Sequence, residues 1–189
     1  MTPQRCTAAL VIVLFSVSCV LSQHPRVPIT PCNGSPMSGK LLEVRVSNCN
    51  NNFPCILKRG SQATIEFDYI PTQDTNRITT GATARLGAVP LPFVGTNNQP
   101  ACSRITSKQA RQSPGCSLRA GEVYTYSNTF PILQIYPVTN VLVQWELNDG
   151  NRQKITCFTI PARIVKREVV RRTKMLLKIS ISIFLCVTL

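Results

Sequence analysis

Three features of the chain predict an all-β domain. Apolar residues recur at every second position in several short runs. Turn formers are frequent, with 14 Pro and 9 Gly in 189 residues, while charged side chains make up only 15%. Six of the 9 cysteines fall between residues 32 and 157, a density suited to an oxidising compartment. At this length one domain with a real core is expected.

The N-terminus sets the compartment. Arg5 precedes an apolar run from Ala8 to Leu21, and Val20-Leu21-Ser22 suits cleavage, so residues 1–22 read as a secretory signal. Cys6 and Cys19 leave with it, and Cys186 lies in the tail. Cys32, Cys49, Cys55, Cys102, Cys116 and Cys157 remain as three disulfides, for which composition allows fifteen connectivities. The domain is then expected over 23–165.

Taken in order, Gln23 to Pro31 is an extended lead-in, and Asn33-Gly34-Ser35 forms a glycosylation sequon at Asn33. Leu41 to Ser47 alternates as a strand. Cys49 and Cys55 bracket an Asn-rich loop in which a local bridge is the economical reading; a metal site is not expected, because no histidine is near. Lys58-Arg59-Gly60 turns the chain into a strand over 63–70. There Ala63, Ile65, Phe67 and Tyr69 share one face, and Thr64, Glu66 and Asp68 form a solvent face.

After a polar turn at 71–77, Ala82, Ala84, Leu86 and Ala88 alternate in a strand with small inward residues, which leaves space inside. Val89-Pro90-Leu91-Pro92-Phe93-Val94 carries two prolines that exclude a regular central strand, so an apolar loop is expected. Residues 95–121 show no regular pattern; they hold Arg104, Lys108, Arg111 and Arg119, and a local Cys102–Cys116 bridge would tether them. Val123 to Thr129 is a strand with Tyr124 and Tyr126 on one face. A proline-bounded apolar segment follows, from Phe130 to Pro137.

The last hairpin has the clearest pattern. Val141, Val143, Trp145 and Leu147 alternate with polar residues, Asn148 to Asn151 make the turn, and Ile155 to Ile164 returns. Residues 166–189 are basic and apolar. Their terminal run of 11 apolar-rich residues is too short to span a bilayer, and no role is assigned to it.

Several chemistries are unsupported. His24, the only histidine, sits next to the cleavage point, so no histidine-dependent catalytic set can form in the domain. Glu66 and Asp68 lie on an ordinary strand face, and no phosphate-cradling glycine loop exists. An enzyme is not expected, nor is a cofactor. Residues 23–164 carry 14 basic and 7 acidic side chains, a net +7. Without a basic stripe interleaved with aromatics, this charge points to anionic membrane surfaces and not to nucleic acid.

One ordered set of motifs closely resembles the Niemann-Pick type C2 family of secreted lipid carriers, within the ML lipid-recognition superfamily. It comprises Cys32-Asn-Gly-Ser, Val46-Ser-Asn-Cys49, Pro54-Cys55, Pro90-Leu-Pro-Phe93, Tyr124-Thr-Tyr126, Tyr136-Pro137, Val143-Gln-Trp-Glu-Leu147 and Cys157-Phe-Thr-Ile-Pro161. The resemblance implies an immunoglobulin-like sandwich of two sheets with an apolar cavity between them. It also implies disulfides Cys32–Cys157, Cys49–Cys55 and Cys102–Cys116. Phe93, Ile132 and Tyr136 would form the cavity mouth; Val89, Leu91, Pro137, Val143 and Trp145 would form its wall. The implied role is binding a cholesterol-like sterol and moving it between membranes or to a membrane acceptor protein. The protein would act as a monomer, secreted or in the lysosomal lumen. Two other readings follow from the same residues: recognition of bacterial lipids such as lipopolysaccharide through Arg104, Lys108, Arg111 and Arg119, or a filled sandwich that binds only other proteins.

Overall fold

The computed structural model describes residues 26–34, 36–49 and 53–167. The leader, Ser35 of the sequon, Cys186 and the tail beyond 167 lie outside the described residues. Asn33 is exposed.

Alternation becomes two facing sheets. Strands β2 (Gly39–Val46), β4 (Ser61–Pro71), β9 (Tyr124–Ile132) and β8 (Ile105–Ser107) form one sheet in the order β2-β4-β9-β8. The other runs β1-β11-β10-β5-β6, from β1 (Thr30–Pro31) through β11 (Lys154–Val165), β10 (Asn140–Asn148) and β5 (Thr79–Leu86) to β6 (Val89–Pro92). Two further strands join it: β3 (Cys55–Lys58) pairs with β11 in parallel, and β7 (Gln99–Pro100) pairs with β5. Ala63, Ile65, Phe67 and Tyr69 of β4 are buried as the alternation requires, as are Val141, Val143, Trp145 and Leu147 of β10.

The three disulfides are Cys32–Cys157, Cys49–Cys55 and Cys102–Cys116. The first joins residues 125 apart in sequence, and on the chain-entropy model such a loop contributes about 4–5 kcal/mol. The sheets also approach at Gly39, where a Cβ would lie 2.7 Å from the Ile155 carbonyl oxygen of the opposite sheet. Only glycine fits that approach.

Several expectations are corrected. The strand expected over 82–88 begins at Thr79 and ends before a turn at Gly87-Ala88, so Leu86 and Ala88 face solvent. The loop expected over 89–94 contains β6, an edge strand whose prolines need no outward N–H partner. The stretch 95–121 holds β7, a 3-10 turn at Cys102–Arg104, and β8. Phe130-Pro131-Ile132 continues β9 instead of forming a separate segment.

Asp68 is not solvent-facing; it is 3% exposed. Arg45 reaches both its carboxylate oxygens at 3.1 and 3.0 Å, Lys108 Nζ donates at 2.6 Å, and the Thr125 hydroxyl donates at 2.7 Å. Arg45 also contacts Glu43 and Glu66. This cluster pins the segment after β8 to the outer face of β4. Burial alone would push the Asp68 carboxyl up, but the hydrogen bonds from Arg45, Lys108 and Thr125 outweigh it and hold the group at about 2.

A carboxyl depressed from 3.8 to about 2 gives stability that is complete above pH 4 and lost as pH falls towards 2. Asp68→Asn should therefore lower unfolding stability at neutral pH by about 2 kcal/mol and flatten the loss between pH 4 and 2. Urea unfolding across that range checks this. An unchanged acid limb in the variant would show that Asp68 is not its source.

Candidate functional site

The sequence-predicted mouth lies at the end of the sandwich where β5, β9 and β11 run out. Phe93 follows edge strand β6, and its N–H donates to the Ala82 carbonyl at 3.1 Å, which turns the ring inward to 3% exposure. Tyr136 follows β9 and is half-buried. Its hydroxyl accepts a hydrogen bond from the Val94 N–H at 3.1 Å, and its carbonyl accepts one from Arg59 Nη1 at 3.2 Å. The Phe93 and Tyr136 rings meet edge to face at 5.7 Å. Together these contacts latch one lip to the other across the sheet gap.

Arg59 and Gly60 close the same end. The Arg59 N–H donates to Val165 of one sheet and the Gly60 N–H donates to Ile132 of the other. Gly60 has φ +71°, which the turn requires.

Behind the latch the space between the sheets is occupied by rings in series. Phe93 meets Phe130 at 5.3 Å, Phe130 meets Trp145 at 5.3 Å, and Trp145 meets Tyr126 at 6.2 Å. Tyr126 then meets Phe67 at 4.9 Å. At the lip only a small hollow of about 20 Å³ is left, lined by Ala84, Leu91, Pro92, Phe93, Tyr136, Pro137, Val141 and Ile164. A ligand of sterol size enters this interior only if the rings turn and the sheets part.

The structure thus gathers Phe93, Tyr136, Leu91 and Pro137 around one hollow. Ile132, Val143 and Trp145 are buried deeper in the same interior. Val89 is 57% exposed on the edge strand and outside the hollow. Sequence reasoning missed Val141 and Ile164 as lining residues; their inward alternation was the available signal. A larger hollow of about 570 Å³ lies at the β1–β2 edge, over Val27, Ile29, Leu41 and Val44. Its rim charges Arg26 and Glu43 pair with each other at 2.7 Å, and no aromatic side chain lines it.

The four cations of the 95–121 region do not converge. Lys108 is committed to Asp68, and Arg104 has a buried Nη1. Arg111 and Lys108 flank a shallow hollow over Glu66 and Thr125 on the outer face of the β4–β9 sheet, while Arg119 lies at the far end beside Asp74 and Asp149.

Around the lip, the exposed surface has a distinct character. Val89, Leu91, Val94, Ile135, Val138 and Leu142 are exposed, with Ile135 at 80%. Lys58, Arg59, Arg163, Lys166 and Arg167 stand at the same end of β3 and β11. Among the described residues no acid accompanies them: Asp74, Glu122 and Asp149 mark the opposite end, and the others lie along the strands.

The model of the ML domain matches residues 26–164. An ecdysteroid-regulated 16 kDa protein of Manduca sexta is 37% identical over 112 residues, 58% of this chain and 70% of the relative. The NPC intracellular cholesterol transporter 2 homolog a of Drosophila melanogaster is 31% identical over 128 residues, 67% of this chain and 81% of the relative. Among solved structures, a Niemann-Pick type C2 protein from the Japanese carpenter ant superposes with a TM-score of 0.61 at 25% identity. That match covers 73% of this chain and 99% of the ant protein. The two-sheet sandwich, its three disulfides and the match across the described domain lead to one conclusion: the chain belongs to the ML domain family.

Proposed function

We propose that this protein is a carrier that takes a sterol or similar hydrophobic lipid between its sheets and delivers it to an anionic membrane. The observation that carries the reading is the latched aromatic lip, Phe93 against Tyr136, set among exposed apolar and basic residues. The relatives named as cholesterol transporters support it. Phe93 and Tyr136 form the mouth; Leu91, Pro137, Ile132, Val143 and Trp145 line the path inward, and Val89 belongs to the apolar rim.

Burial suffices as a driving force. Removing roughly 400 Å² of apolar ligand surface from water yields on the order of 10 kcal/mol before association costs. The step is transfer, not catalysis, so no reactive group is required. Delivery follows from the rim: exposed Val94 and Ile135 insert at the membrane interface while Lys58, Arg163 and Lys166 meet lipid phosphates. Each cation near an anionic surface contributes about 1 kcal/mol. Secretion, or residence in the lysosomal lumen, is the compartment that three disulfides suit. Asn33 is the glycosylation site this reading assigns.

Three outcomes test this. Phe93→Asp should reduce binding of a fluorescent sterol at least tenfold, measured by titration, with the fold and disulfides intact; unchanged affinity would remove Phe93 from the mouth. Tyr136→Phe keeps the ring but removes the latch bond, worth about 1 kcal/mol, so stopped-flow release should quicken roughly fivefold. An unchanged release rate would show that the latch does not gate exit. The double reversal Lys58→Glu and Lys166→Glu should slow transfer to anionic vesicles tenfold or more and leave neutral vesicles unaffected. Equal slowing on both would show that charge does not direct docking.

A further inference from the structure

Two guanidiniums at the lip end are held by neutral oxygens. Arg59 Nη1 donates to the Tyr136 carbonyl at 3.2 Å, and Arg167 Nη1 donates to the Gly60 carbonyl at 3.0 Å. Neither these two nor Lys58, Arg163 and Lys166 beside them pairs with a carboxylate among the described residues. Arg45 on the outer face is bound differently, with its guanidinium shared among Glu43, Glu66 and Asp68.

Arg59 is the less satisfied of the two. Its Nε is withdrawn from solvent without a partner, and the Tyr136 carbonyl is the one acceptor its side chain reaches among the described residues. A guanidinium is best matched by a charged, planar fork of oxygens that takes two parallel N–H bonds, as a phosphate or carboxylate does. One neutral carbonyl leaves most of that capacity unused.

The bond that Arg59 does make holds the lip. Residues 133–139 join β9 to β10 and are mostly exposed. Their far end is tied to β11 through the Thr139 carbonyl, which accepts from the Ile164 N–H at 2.9 Å. Their middle, Tyr136, is tied to the β3–β4 turn by Arg59 and to the opposite lip by Val94 and Phe93. The main chain of the same turn is fixed separately, through the Arg59 N–H on Val165 and the Gly60 N–H on Ile132. The Arg59 side chain can therefore swing outward, releasing Tyr136, while both sheets keep their hold on the turn.

We propose that Arg59 couples headgroup capture to opening of the mouth. A phosphate ester drawn in by Lys58, Lys166 and Arg167 takes the Arg59 guanidinium from the Tyr136 carbonyl, and the Tyr136 lip comes free. The source of that phosphate is an anionic lipid headgroup, because exposed Val94 and Ile135 flank the same lip and suit a membrane surface. This rests on the carrier reading and deepens it: the mouth stays latched in solution and opens on contact. Arg59 acts on the cargo through Tyr136 and is a positioning residue.

The test loads the full chain with a fluorescent sterol and mixes it in stopped flow with excess vesicles of phosphatidylglycerol or of phosphatidylcholine. Wild type, Arg59→Gln and Arg59→Lys are compared, and vesicle binding is read separately by flotation. Release from wild type should be roughly tenfold faster with phosphatidylglycerol than with phosphatidylcholine. Arg59→Gln should shrink that difference to within about twofold while still floating with phosphatidylglycerol, and should release faster than wild type when no vesicles are present. Arg59→Lys keeps the charge without the fork and should restore part of the difference. Free glycerol phosphate is added to wild type without vesicles to separate the two sources of phosphate. Acceleration by it as well makes the phosphate group itself the trigger; acceleration by phosphatidylglycerol alone makes the membrane-held headgroup the trigger. Equal release from wild type into both vesicles would overturn the coupling. So would an Arg59→Gln protein that keeps the full phosphatidylglycerol effect, or one that loses it only because it no longer binds the vesicles. In each of these cases sterol uptake by wild type leaves the carrier reading standing. A folded wild type that takes up no sterol removes both.

Discussion

The series of rings between the sheets is the constraint on which the rest of the structure depends. From Tyr136 through Phe93, Phe130, Trp145 and Tyr126 to Phe67, centroid spacings stay between 4.9 and 6.2 Å, and contacts are tilted or edge-on. Rings so arranged fill a gap between sheets yet can rotate about two side-chain torsions, whereas interlocked aliphatic packing yields only with loss of density. Under the carrier reading the interior has to open, so it cannot also be the main source of rigidity. Rigidity therefore sits at the margins. Cys32–Cys157 fixes the start of the domain to β11, the Arg45–Asp68–Lys108 cluster clamps the outer face of β4, and Gly39 holds the sheets close at one edge.

That division explains where charge and polarity lie. The outer-face cluster is fully satisfied: Asp68 accepts four hydrogen bonds from Arg45, Lys108 and Thr125. Inside the sandwich, the polar atoms of Tyr69, Tyr126, Trp145 and Thr156 are withdrawn from solvent. The lip end adds the third component, a basic and apolar rim with no acid among the described residues.

Much of the frame was legible in the sequence because sheet faces impose a period of two. The alternations at 63–70 and 141–147 placed Phe67, Tyr69, Trp145 and Leu147 inside, where the structure has them. Proline explained why 89–92 could not be central, though not that it pairs as an edge. What stayed hidden depends on distant chain segments. Strand β3 is four residues long and exists only because β11 runs parallel beside it. Asp68 alternates onto the outer face, and its burial comes from Lys108 and Arg45, separated from it by 40 and 23 residues. Arg104 read as one cation in a basic loop; it ends the 3-10 turn before β8 half-buried, with Nη1 out of solvent. Phe93 and Tyr136 were proposed as a mouth through family resemblance; the structure sets their rings edge to face, and alternation alone gave no reason to join them.

The most direct measurement of the central claim is native mass spectrometry of the full chain purified gently from the cells that make it and from their medium. The account predicts a fraction carrying one hydrophobic small molecule per chain, released on organic extraction and absent from Phe93→Asp. A folded, disulfide-bonded protein that shows only the mass of its own chain and takes up no lipid from vesicles would contradict it.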